Sequence, residues 1–202
     1  FQEGLRQRPE SATQLGLDKG PNADLRAKLS DGGEAGRVAA RALNASQLKR
    51  LEAFDPSKLS TADRIDYDVV MYQRRGSADV AKFDFGGTGY GPTPYVISQQ
   101  SGAYQSTPDF LDTKHPVDTR ADAEAYLSRL SAFGDQLAGN TDRFLADTGR
   151  GIVPPDFILD LTIAQMESLR QPAATARVVQ SLATRAAARG LGDDWGRRAA
   201  AI

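Results

Sequence analysis

The feature that most constrains this chain is a periodic run between Thr119 and Gly149, in which Tyr126, Leu130, Phe133, Leu137 and Phe144 recur at intervals of three, four and seven. An α-helix turns once every 3.6 residues, so apolar side chains at this spacing form a single stripe that asks to be buried. Thr119 has the chemistry of an N-cap, and Gly149 and Gly151 supply the backbone freedom with which helices end. A chain organised round such a helix is drawn towards helix-on-helix packing.

Much of the remaining chain repeats the pattern. Val38, Leu43, Leu48 and Leu51 predict a helix from Gly36 to Phe54, closed by Asp55-Pro56. Ser60, with Asp63 three residues on, reads as the start of another helix. In it Ile65, Val69 and Tyr72 fall at i, i+4 and i+7, which predicts one buried face through about Val80. Pro154-Pro155-Asp156 opens a helix with Ile158, Leu161, Gln165 and Ser168 along one side, and Gln171-Pro172 stops it. An alanine-rich helix carrying Val178, Val179 and Leu182 runs to Gly190, and Asp193 or Asp194 caps the final "WGRRAAAI". Leu5 follows Phe1 at helical spacing before Pro9 interrupts, and residues 18–36 read as a surface loop or short turns.

One region, about 83–117, breaks the pattern. Phe83 and Phe85 alternate with polar residues, "GGTGYGPTP" interrupts any helix, and Tyr95-Val96-Ile97 is β-prone. The stretch "PTPYVISQQSGAYQSTPDFLDTKHP" then carries Pro92, Pro94, Pro108, Pro116 and the only histidine. The expected architecture is mainly α: a multi-helix array with one extended or hairpin Gly/Pro-rich segment. Helical segments reach both ends of the sequence without a start or stop signal, so residues 1–202 are read as an N-terminal helical fragment of one larger domain.

Composition narrows the function classes. The 202 residues and 40% apolar content suffice for a buried core. Lys and Arg number 25 against 26 Asp and Glu, a net charge of −1. The densest basic spots are the isolated pairs Arg74-Arg75 and Arg197-Arg198, which speaks against duplex nucleic acid as a partner. No apolar run is long enough to predict a membrane span. The absence of cysteine excludes disulfides, thiolate metal ligation and thiol catalysis.

The common chemistries find little footing. A catalytic zinc site uses three protein ligands, and here a single histidine, His115, is followed by Pro116 rather than by a second ligand at helical spacing. His115 is read as a packed or hydrogen-bonded residue at a turn. The run Gly86–Gly91 has the glycines of a phosphate loop but is followed by Pro92 and Pro94, without a lysine or an opening helix. It is read as a turning loop. Ser98 and Ser101 lack the Gly-x-Ser-x-Gly setting of a nucleophile, with His115 the sole base. Asp156 and Asp160, one turn apart, read as a solvated face or cap. No residue is therefore assigned as catalytic or as a metal ligand. What remains is Gln99, Gln100, Ser101, Gly102, Tyr104 and Gln105, rich in neutral donors and acceptors of the kind that hold a peptide main chain. The competing reading is a polar loop that satisfies its own backbone.

Five strings in order, "RPESATQLGL", "LSTADRIDYDVV", "YVISQQSGAYQSTPDFLDTKHP", "DAEAYLSRLSAF" and "GIVPPDFILDLTIAQM", span almost the whole chain. With them the sequence resembles the N-terminal part of the bacterial domain-of-unknown-function 885 family, whose members are similar to gluzincin metallopeptidases. The resemblance implies a helical protein round a deep cleft, with zinc ligands and general base on a His-Glu-led helix in the C-terminal part. No position here matches that helix, so no catalytic or metal residue carries over, and only the string from Tyr95 to Gln105 does. The implied function is the N-terminal portion of a zinc-dependent peptidase-like hydrolase, forming a wall of the substrate cleft and inactive alone. The expected partners are the C-terminal part of the same protein, a peptide substrate and a second copy of the chain. No cofactor is expected in this chain, zinc is expected in the full-length protein, and export to the bacterial periplasm is favoured. The rival reading is a non-enzymatic helical binding or interaction module.

Overall fold

The computed structural model describes residues 1–87, 93–192 and 194–202. Among them lie nine α-helices: α1 (Gln2–Gln7), α2 (Pro9–Gln14), α3 (Glu34–Glu52), α4 (Thr61–Val80), α5 (Ala103–Thr113), α6 (Arg120–Gly149), α7 (Asp156–Leu169), α8 (Arg177–Ala188) and α9 (Trp195–Ala200). Two isolated β-bridges, Gly87 with Thr93 and Ser98 with Ser101, are the only β-pairings among the described residues. The mainly α expectation holds, with a short extended segment between α4 and α5. The chain divides into one unit of residues 1–34 and 85–202 and a second of residues 35–84.

In the smaller unit α3 and α4 form a helical pair. Ser60 caps α4 by accepting from the Asp63 N–H at 3.2 Å, as its spacing predicted. The Tyr67 hydroxyl donates to the Leu51 carbonyl at 2.9 Å and the Asn44 amide donates to the Arg74 carbonyl at 3.1 Å. The predicted buried face of α4 is corrected: Ile65, Val69 and Tyr72 are 62%, 51% and 82% exposed, and Met71 is the buried residue. Tyr67, Met71 and Arg74 share the same i, i+4, i+7 spacing two residues later, about 200° round the helix. Periodicity reveals a stripe; it does not reveal which stripe a neighbour covers.

The larger unit is built on α6. A capping box starts it: the Asp122 N–H donates to the Thr119 hydroxyl at 3.2 Å and the Thr119 N–H donates to the Asp122 carboxylate at 2.9 Å. It ends in a Schellman arrangement, Gly151 at φ +80° with Ile152 N–H donating to the Asp147 carbonyl at 3.0 Å. Its apolar side meets α5, α8 and α9 in a core of Phe110, Leu111, Tyr126, Leu127, Leu182 and Trp195. Tyr126, Leu111 and Leu182 are fully buried, and the Tyr126 hydroxyl donates to the Val178 carbonyl at 2.7 Å.

A second, polar stripe runs along α6 and holds irregular backbone. Arg129 donates to the Lys28 carbonyl at 2.8 Å and the Leu25 carbonyl at 3.0 Å, Gln136 to the Ser30 carbonyl at 2.7 Å, and Asn140 to the Gly32 carbonyl at 2.9 Å. The stretch read as a surface loop or short turns is a 3-10 helix over Gly20–Ala27 followed by a strip laid along α6. A carbonyl that is partly shielded from water and lies outside helical pairing needs a donor, and α6 supplies one to Lys28, Ser30 and Gly32.

The irregular segment is shorter than the 83–117 expected. Residues Ala103–Thr113 form α5 despite Pro108 in its interior. Proline removes one helical hydrogen bond and crowds the preceding turn, which is why the stretch reads as non-helical. Ala103, Tyr104, Thr107, Phe110 and Leu111 nonetheless bury one face at helical spacing, and that burial outweighs the proline.

Candidate functional site

The predicted site residues fall on a tight turn and the first turn of α5. Ser98 and Ser101 exchange both backbone hydrogen bonds, at 3.0 and 3.2 Å, so Gln99 and Gln100 occupy the corner between them. The two serine hydroxyls meet at 2.8 Å, and the Ser101 hydroxyl also reaches the Tyr95 carbonyl at 3.3 Å. Gly102 is the N-cap of α5 at φ +121°, a conformation open to glycine, and a Cβ there would lie 3.0 Å from the Tyr104 ring. Having no side chain, Gly102 caps nothing; Asn140 of α6 replaces the cap by accepting the Ala103 N–H at 2.8 Å.

Tyr104 is the post that fixes the corner. It is 5% exposed, and its hydroxyl lies 2.8 Å from the Ser98 carbonyl and 2.7 Å from Oε1 of Gln165 on α7. Burial pushes its phenol above the ordinary value, and hydrogen bonds from Gln105 and Thr162 pull against that. Gln105 donates through Nε2 to the Gln99 carbonyl at 2.6 Å, the Gln165 Oε1 at 2.8 Å and the Tyr104 hydroxyl at 3.0 Å. Gln100 is exposed, Gln99 and Gln105 are half-buried, and Ser101 and Tyr104 are buried. Ser101, Gly102 and Tyr104 therefore shape the element from inside, while the glutamines form its outer edge.

The lone histidine lies in a separate, closed cluster. His115 is fully buried; its Nδ1 accepts from Arg129 at 2.7 Å and its Nε2 donates to the Asp122 carbonyl at 3.0 Å. The rings of Tyr126 and Phe110 stand edge-on at 5.2 and 6.4 Å. Burial, with the Arg129 and Arg185 cations beside it, lowers the His115 pKa to about 4. Arg129, itself fully buried, stays charged: burial lowers its pKa to about 10, still well above neutrality. Beside it Arg26 bridges Asp18 at 3.0 Å and Asp122 at 2.5 Å, and both carboxyls are held low against the opposing effect of burial.

These residues do not fit a zinc centre. Both His115 ring nitrogens are engaged, and among the described residues no three of His, Asp and Glu converge as metal ligands would. Asp156 and Asp160 are exposed on α7. The glycine-rich reading at 88–91 and the cap at Asp193 lie outside the described residues. Sequence reasoning missed Gln165 and Asn140 as site members. The available signal for Gln165 was a neutral polar residue, with Thr162 one turn before it, in the mainly apolar "FILDLTIAQM".

The whole fold matches the crystal structure of the putative lipoprotein from Colwellia psychrerythraea with a TM-score of 0.87 at 18% identity, over 99% of this chain and 35% of that one. This chain thus spans about a third of the length of that protein. No curated protein matches. The family model described as bacterial protein of unknown function (DUF885) matches residues 9–202. With its mainly helical fold and all but the first eight residues matched, the chain belongs to the DUF885 family.

Proposed function

We propose that this chain is the N-terminal portion of a zinc-dependent peptidase-like hydrolase, in which the 98–105 element forms a wall of the substrate cleft. The observation that carries the reading is the corner itself: Gln99 and Gln100 project from a turn locked by Ser98, Ser101 and Tyr104. A rigid turn bearing neutral amides holds peptide groups without the desolvation cost of a buried charge. Gln99, Gln100 and Gln105 contact the peptide; Ser101, Gly102 and Tyr104 set their positions. Zinc and the general base belong to residues outside this chain, since His115 is committed to Arg129 and Asp122. The match to a lipoprotein three times as long supports both a larger protein and an exported one.

A second reading, a helical interaction module, draws on α7, where Phe157 and Leu161, one turn apart on the same side, are 65% and 53% exposed. An apolar side of this size suits a second copy or a separate partner as well as further chain. Zinc partition tests the main reading. The 202-residue chain binds no zinc at nanomolar affinity, while the full-length protein binds one equivalent and hydrolyses peptides. Stoichiometric tight zinc on the short chain, or a zinc-free and inactive full-length protein, contradicts it.

A further inference from the structure

We propose that residues 1–33 form a strap that acid releases: a proton on His115 drives Arg129 off its partners, and the segment leaves α6 while α5, α6, α8 and α9 stay packed. The strap is held differently from the rest of its unit. Leu5, Ala12 and Leu25 close a small apolar cluster of their own, and of the strap's described residues Leu29 packs on the main core. Four hydrogen bonds to the strap come from one side chain of α6. Arg129 donates through Nη2 to the Thr13 hydroxyl at 2.7 Å, the Leu25 carbonyl at 3.0 Å and the Pro9 carbonyl at 3.4 Å, and through Nε to the Lys28 carbonyl at 2.8 Å. Arg26 of the strap reaches Asp122, and Gln136 and Asn140 hold Ser30 and Gly32.

The Arg129 guanidinium therefore faces two ways. Its Nη1 donates to His115 Nδ1 at 2.7 Å, and its other two nitrogens hold the strap. Both residues are fully buried, so a proton on Nδ1 would set two donors against each other without water between them. His115 is held in place: its Nε2 donates to the Asp122 carbonyl, and Arg185 of α8 holds its main-chain carbonyl. Arg129, on a long stem, turns out instead, and that withdraws all four bonds from the strap. The surrounding charges do not absorb the new proton. They are Arg129 and Asp122 of α6 and Arg185 of α8, with Arg26, Asp18 and Glu10 of the strap acting on Arg129 and Asp122. The Asp122 carboxylate is already paired with Arg26. From α5 the ring meets Phe110, and the Tyr126 phenol, pushed up by burial, stays neutral.

Hydrogen exchange of the ¹⁵N-labelled chain, corrected for intrinsic rates, tests this between about pH 6.5 and 3.5. The Ala12 and Leu17 amides, bonded to the Arg8 and Ala12 carbonyls, report the strap; the Leu191 amide, bonded to the Ala186 carbonyl, reports the core. Release of the strap is an opening smaller than global unfolding, so Ala12 and Leu17 exchange faster than Leu191 at every pH. Their opening constant rises about tenfold for each pH unit below the ordinary histidine value of 6.5, because release lets His115 take up one proton. In His115→Asn, which offers Arg129 an oxygen in place of Nδ1 and takes up no proton, that slope is lost. Equal rates for strap and core overturn the proposal, as does a slope that persists in His115→Asn. So does a slope confined to the lower pH at which Asp18 and Asp122 take up protons. The unmodified chain decides where the variant does not fold: the slope levels off at the midpoint of the His115 ring titration, and a plateau elsewhere overturns the proposal.

Discussion

His115 is kept neutral by its position between a buried cation and a backbone carbonyl. Protonating Nδ1 would set two donors face to face, His115 against Arg129, with no water to separate them. The sign of the pH effect follows. The unfolded chain takes up this proton near the ordinary value of 6.5, whereas the folded chain resists until about 4. Stability from this residue is complete above pH 6.5 and declines as pH falls towards 4, by about 3 kcal/mol in all. The carboxyls Asp18 and Asp122, also held low, lose their contribution only at lower pH. As the chain has one histidine, its ring-proton titration is unambiguous. A midpoint near 4, with denaturant stability falling between pH 6.5 and 4.5, is expected; a midpoint near 6.5 contradicts the buried pair. That His115 is structural was legible from the missing second ligand. Its partner Arg129 was not, because nothing local distinguishes an arginine that is swallowed by the fold from the many that face water.

The elements were legible where local chemistry decides them. Ser60 and Thr119 announce caps, Gly151 announces an end, and the stripe Tyr126, Leu130 and Phe133 announces α6. They were illegible where tertiary burial overrides local preference. Pro108 argues against α5, yet the Tyr104, Phe110 and Leu111 face forms it. The polar stripe of α6 was equally hidden, because Gln136 and Asn140 read as ordinary surface amides until the 25–32 strip is laid on them. The closeness of that strip makes two glycines of the same helix opposite in character. A Cβ on Gly139 would lie 2.7 Å from the Gly33 nitrogen and 2.8 Å from its Cα, backbone atoms with little room to yield. Nothing lies within 4 Å of one on Gly134. Gly139→Ala therefore destabilises by about 1–3 kcal/mol, whereas Gly134→Ala stabilises by up to about 1 kcal/mol. Thermal midpoints moving the same way for both would mean that the strip is not seated on α6.

At the scale of the molecule, the larger unit joins two kinds of packing on one helix. The apolar side of α6 gathers α5, α8 and α9, and its polar stripe carries backbone that could not otherwise be buried. This arrangement delivers the 98–105 corner: Asn140 caps α5, α5 presents Tyr104, and Tyr104 fixes the turn that holds Gln99 and Gln100 outward. The fold class and the position of the candidate element were readable from spacing and from the Tyr95–Gln105 string. The division of that element into internal struts and an outer amide edge needed the structure, since Ser101 and Gln100 are equally polar in sequence and opposite in burial. The central claim is that this outer edge meets substrate. The most direct measurement is peptide turnover by the full-length protein carrying Gln99→Ala and Gln100→Ala together, with thermal stability recorded beside it. The account predicts kcat/KM reduced by roughly tenfold or more, as for one to two lost hydrogen bonds, with an unchanged midpoint. Unchanged kcat/KM in a folded double variant would contradict it and return the corner to the scaffold.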